Sequence, residues 1–269
     1  MKPIPTAQSK PKHRKQLNVL QTELLQTLYK FRFGTAELLS QYQEQSVRYT
    51  NVRLKILLKQ EYVGRNYDSS YRIKQRPATY FLLPKAVRLL KTNPELDPKG
   101  LHLQYYNRAA SALFVGHWLR LFRIYLKLNR LYGEQLECFM GSELAEQSRF
   151  PRPLPDAYLS FSGAHAGTPD CMLELLESST PLDRLRQRLN RYLRHYELGS
   201  WEGEYPRILL VCDNVGLQRE IQRYMARTLE YRGVRVQCYI TTVKALMNAG
   251  GYKDDVWTDV GEPDGSLAL

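Results

Sequence analysis

Apolar residues recur at helical spacing over residues 17–31: Leu17, Leu20, Leu24, Leu28 and Phe31 fall on one face. The spacing predicts a first helix, which Gly34 can end. Thr35 then caps a short second helix, AELLSQYQ. The run SVRYTNVRLKILLKQEYV over 46–63 predicts a third helix with Ser46 as its N-cap. At 100° per residue, Val47, Thr50, Leu54, Leu57 and Leu58 form its inner face, while Arg48, Val52, Lys55 and Lys59 form an outer stripe. Strands are expected at Tyr62–Tyr67, Tyr71–Arg76 and Thr79–Leu83, with Asp68-Ser69-Ser70 as a turn and a further helix starting at Pro84.

Past residue 91 the pattern changes. Residues 92–100 (TNPELDPKG) read as a linker. Residues 101–132 are expected to form one long, largely buried helix facing inward through Leu113, Trp118, Leu121, Phe122 and Leu128, with His117 as a packed core histidine. Then strands and helices alternate. Strands are expected at Gln135–Met140, Ala157–Phe161, Cys171–Leu176, Arg207–Cys212 and Val234–Ile240. Helices are expected at Leu182–Glu197, Leu217–Tyr231 and Val243–Ala249. Such alternation implies an α/β layer. The end, 254–269, is acidic and is expected to fray.

The three N-terminal helices followed by a basic hairpin have the order of a winged helix-turn-helix. The expected organisation is a basic arm (1–14), a winged helix (15–91), a linker (92–100), a helix plus α/β domain with a mixed sheet (101–250) and a flexible acidic tail (251–269). The fold class is α/β, or α+β taken overall.

Charge sharpens this picture. The net charge of the 269 residues is +12. Residues 1–91 hold 18 Lys and Arg against 5 Asp and Glu, or +13; the rest hold 21 against 22, or −1. A module with that excess attracts nucleic acid through counterion release. Arg48, Tyr49, Asn51 and Arg53 are candidates for DNA base edges, with Asn51 nearest the buried side. Lys55, Lys59, Arg72, Lys74 and Arg76 are candidates for phosphate, the last three sharing one face of a strand by their period of two. The partner expected is double-stranded DNA, bound by a monomer or a homodimer.

Four cysteines stand singly with no CxxC pair, which argues against a zinc site and for a reducing cytoplasm. No apolar run reaches membrane-spanning length, so no membrane partner is expected. The first sixteen residues have no apolar core of a signal peptide.

Candidate chemistry centres on 151–177, where PRPLPDAYLSF is followed by PDCMLELLES. Asp156 at the start of one strand, with Glu174 and Glu177 on or after the next, resembles the carboxylate set by which nucleases hold Mg²⁺ or Mn²⁺. The lysine that normally sits two residues past the acidic one is absent: Leu176 and Ser179 occupy those places. No nucleotide-binding glycine loop, HExxH or GxSxG motif is present. No His-x-His cluster accompanies the 19 tyrosines, so a relaxase is not indicated.

These segments together resemble the replication-relaxation family of plasmid and mobile-element proteins. The resemblance rests on YFLLPKAVRLL, on RPLPDAYL, and on LELLESSTPLDRLRQRLNRYLRHY followed by PRILLVCDN. Thr180 matches the family's threonine, and Arg188, Leu189 and Tyr192 match its Lys-Leu-x-x-Tyr helix end. Glu177 falls where the family has Asp, and Leu175 where it has Glu, so Glu174 is one residue out of register. The resemblance implies a DNA-binding module joined to a restriction-endonuclease-like domain, acting in replication or mobilisation with replication or conjugation proteins as partners. Three readings follow. The first is a non-catalytic DNA-binding factor needing no cofactor. The second is a winged-helix transcriptional regulator whose C-terminal domain senses a ligand. The third is a metal-dependent nuclease using Asp156 with Glu174 or Glu177.

Overall fold

A computed structural model describes residues 17–67, 76–165, 167–262 and 266–267. Helix α1 (Val19–Phe31) opens with a reciprocal capping box, in which Asn18 accepts from the Gln21 N–H and Gln21 accepts from the Asn18 N–H. A two-residue strand β1 (Gly34–Thr35) leads into α2 (Ala36–Tyr42), capped by Thr35 as expected. Helix α3 (Val47–Lys59) starts at its Ser46 cap. Strands β2 (Val63–Asn66) and β3 (Thr79–Leu82) pair antiparallel, and β1 joins β3 to give the order β1-β3-β2. Strand β1 was not apparent from the sequence, because two residues carry no periodicity. Arg72 and Lys74 lie outside the described residues. Helix α4 (Pro84–Leu90) begins with its proline in the first turn, where no N–H is needed.

The segment 92–100 is not a free linker. Helix α5 (Pro98–Leu103) starts inside it, capped by Asp97. A Cβ on Gly100 would lie 2.2 Å from the Ser142 carbonyl oxygen, so this backbone is pressed against the strand region beyond it. Nor is 101–132 one helix. A 3₁₀ turn (Gln104–Ala109) separates α5 from α6 (Ala112–Tyr132). The turn is held because buried Arg32 donates to the Asn107 side-chain carbonyl at 2.6 and 2.9 Å, and Ser111 then caps α6. With that new phase Leu113 is 68% exposed, whereas Trp118, Leu121, Phe122 and Leu128 are buried as expected.

The second sheet has seven strands in the order β10-β9-β8-β7-β6-β5-β4. Strands β4 (Leu136–Met140), β5 (Ala157–Phe161) and β6 (Cys171–Leu176) pair antiparallel; β6, β7 (Arg207–Cys212) and β8 (Cys238–Thr242) run parallel. The sheet is therefore mixed, and the chain is α+β. Strand β8 begins later than the expected Val234, because pairing with β7 starts at Ile208 opposite Cys238. The tail is not frayed throughout. Strand β9 (Trp257–Asp259) pairs with β8, and Trp257 and Val260 are buried; β10 (Ser266–Leu267) adds to its edge.

Alternate residues divide the sheet between two cores. Leu173, Leu175, Leu209 and Val211 face α6 and the N-terminal helices. Met172, Ile208, Leu210 and Ile240 face α7 (Leu182–Glu197) and α8 (Val215–Arg232). Helix α9 (Val243–Asn248) follows β8 and packs on α6. The first core runs unbroken from α1 and α2 into the sheet, and the rings of Phe31 and Phe122 stack with centroids 3.8 Å apart. The four cysteines are free and buried, and burial pushes the thiols of Cys138 and Cys171 up to about 12.

Candidate nucleic-acid interface and carboxylate network

Helix α3 packs through Thr50, Leu54 and Leu57, which are buried. Val47, placed on the inner face by periodicity, is exposed, and Leu58 is half-buried. The outer face presents Arg48, Lys55 and Lys59 to solvent. Between them stand Tyr49 (62% exposed), Val52 (49%) and Ile56 (40%). Asn51 and Arg53 are half-buried at the flank of this face. Arg65 on β2 and Arg76 before β3 are exposed, with the Arg65 guanidinium 5.3 Å from the Tyr67 ring.

The three candidate carboxylates do come together, but not around a cation-binding space. Asp156 lies one residue before Ala157, which pairs with Leu173, so Asp156 stands across from Glu174. Its Oδ2 accepts the Leu175 N–H at 2.9 Å. Its Oδ1 accepts from Arg188 Nη2 at 2.6 Å and lies 3.2 Å from His117 Nε2. Fully buried Glu174 faces α7, where it pairs with Arg188 and Arg191 and accepts the Tyr192 hydroxyl. Glu177, just past β6, pairs with Arg120 and lies 2.8 Å from His117 Nδ1. The register slip at Leu175 has a structural counterpart: Leu175 points into the opposite core, while Glu174 points at the arginines.

The electrostatics follow from these pairs. Burial opposes charge on His117, but Asp156 and Glu177 overcome it and raise its pKa to about 9. Burial likewise opposes ionisation of Asp156, yet Arg188 and His117, together with the Leu175 N–H, hold its carboxyl well below the usual range. Burial raises the pKa of Glu174, against the lowering effect of Arg188, Arg191 and Tyr192 and with that of Asp156. Three guanidiniums and an imidazole thus meet three carboxylates. Arg188 bridges Asp156 and Glu174. Each of the three carboxylates is thus paired to a guanidinium, and among the described residues no group of three or more His, Cys, Asp and Glu is arranged to hold a metal ion.

The sequence reading missed His117, Arg120, Arg188 and Arg191 as members of this network. His117 was expected to be a core histidine, and it is half-buried but paired at both nitrogens. A signal was available for the arginines: Arg188 and Arg191 interleave with Leu185, Leu189 and Tyr192 on the inward side of α7, where a charge requires a partner.

No helix among the described residues is long and apolar enough to cross a membrane. A solved structure of TrmBL2, described as an archaeal chromatin protein with a novel mode of DNA binding, is similar at 12% identity, over 85% of this chain and 74% of that one, with a TM-score of 0.23. No curated protein matches the chain. The family model described as replication-relaxation matches residues 25–210, a span that takes in α3, Asp156, Glu174, Glu177 and the arginines of α7. Matched over well more than half its length, the chain belongs to the replication-relaxation family.

Proposed function

We propose that this protein is a non-catalytic DNA-binding factor acting in replication or mobilisation of a plasmid or other mobile element. The helix–strand–helix–helix–hairpin order supports reading residues 15–91 as a winged helix, with α3 as the helix that enters a major groove. One observation carries the reading. The face of α3 turned away from the core combines Arg48, Lys55 and Lys59 with exposed Tyr49, Val52 and Ile56. Cations there suit phosphate, and the apolar groups suit thymine methyls and sugar. Arg76 extends the cationic surface onto the hairpin.

The carboxylate network supports the non-catalytic part. Asp156 and Glu174 share Arg188 as an internal counter-ion, which replaces the role a metal would have. The test is incubation of the protein with supercoiled plasmid, with and without Mn²⁺, beside Asp156→Ala. A salt-sensitive mobility shift without strand breaks is expected. Metal-dependent nicking lost in Asp156→Ala overturns the non-catalytic reading, and no shift at any salt overturns DNA binding.

A further inference from the structure

The hairpin and α6 are the two walls of an open groove of about 880 Å³. Arg65 and Arg76 line the hairpin wall; Arg120 and Arg123 on α6, with Arg108 in the 3₁₀ turn before it, line the other. Two acidic residues, Glu177 and Asp213, also line the groove, and both are already engaged. Glu177 holds His117 and Arg120, while Asp213 accepts the Ser178 N–H at 2.9 Å and its hydroxyl at 2.7 Å. In contrast, Arg108 and Arg123 are exposed and make no ion pair or hydrogen bond among the described residues. Leu113 and Leu119 supply apolar surface between them.

We propose that this groove takes the sugar-phosphate backbone of a DNA strand, so that α6 is a second DNA contact beside α3. The inference rests on the DNA-binding reading above and extends it to the second half of the chain. Its chemistry is that of arginine forks on phosphate oxygens, with apolar surface left for deoxyribose. Arg120 is held by Glu177, so the guanidiniums left for phosphate on this wall are those of Arg108 and Arg123. The hairpin that carries Arg65 and Arg76 continues directly from α3, which places groove and helix on one path of the chain. Contacts of this kind position DNA without reading its bases.

The test is duplex binding by fluorescence anisotropy across a salt series, comparing the full chain with Arg108→Gln/Arg123→Gln and with Lys55→Gln/Lys59→Gln. Both arginines are exposed, so the melting temperature of their variant should match that of the parent chain. Loss of two phosphate contacts is expected to make the slope of log affinity against log salt shallower by about two, equally for unrelated sequences. An unchanged slope and affinity in Arg108→Gln/Arg123→Gln, with binding weakened in Lys55→Gln/Lys59→Gln, overturns the groove and leaves α3 standing. No binding by the parent chain overturns both.

Discussion

Two sets of cations in this protein have opposite fates. On α3, Arg48, Lys55 and Lys59 stand in solvent with no carboxylate paired to them among the described residues. On α7, Arg188 and Arg191 are drawn inward and bound to Asp156 and Glu174. A count of basic residues treats the two alike. Physically they differ, because a desolvated charge must be paired where it lies, whereas a hydrated one remains available to a partner. Residues 92–269, nearly neutral by composition, thus turn Arg120, Arg188 and Arg191 to internal cohesion. The outer face of α3 leaves its charge on offer.

The comparison breaks most visibly if the inward set is disturbed. Glu174→Ala strands Arg191, while Arg188 keeps Asp156, and should lower unfolding stability by about 3–5 kcal/mol, measured by urea titration. No loss would mean that α7 tolerates an unpaired arginine. A change in pH probes the same set more gently. The folded pKa of His117, about 9, lies above the unfolded value of about 6.5. Its contribution is therefore complete below about pH 6.5 and disappears as pH rises through about 9. Stability should fall by about 3 kcal/mol over that window, and His117→Gln should flatten the profile. The outward set should behave in reverse. Lys55→Gln/Lys59→Gln should leave stability within about 0.5 kcal/mol while making DNA affinity less dependent on salt. A change at the end of α3 sharpens the boundary between the sets: Ser46→Ala removes its cap and should cost about 1 kcal/mol, read by thermal melting. DNA affinity should then fall only as far as the first turn loosens.

Much of this was legible in the sequence, for a specific reason. The helices of the first third, β5, β6, β7 and α7 each carry an unbroken apolar period and a clear start, such as Ser46 or Thr35, so local pattern was enough. The break before α6 was hidden because it depends on Arg32 binding Asn107, a contact 75 residues apart in the chain. Strand β9 was hidden because a single buried Trp257 anchors it within an acidic stretch. The carboxylates were found, but their partners were not. His117 and Arg188 reach Asp156 from 39 residues before it and 32 after it, and no spacing rule links them. Knowing which charges meet required the fold.

The stacked rings of Phe31 and Phe122 carry a consequence for how such a protein can diversify. The core that joins α1 to α6 is shared, with no seam between the helices that present α3 and the sheet behind them. Recombination that swapped the first ninety or so residues for those of a distant relative would bring in a Phe31 face cut for another partner. New DNA preferences would instead have to accumulate one substitution at a time on the open side of α3, where Tyr49, Val52 and Ile56 can change without the interior noticing.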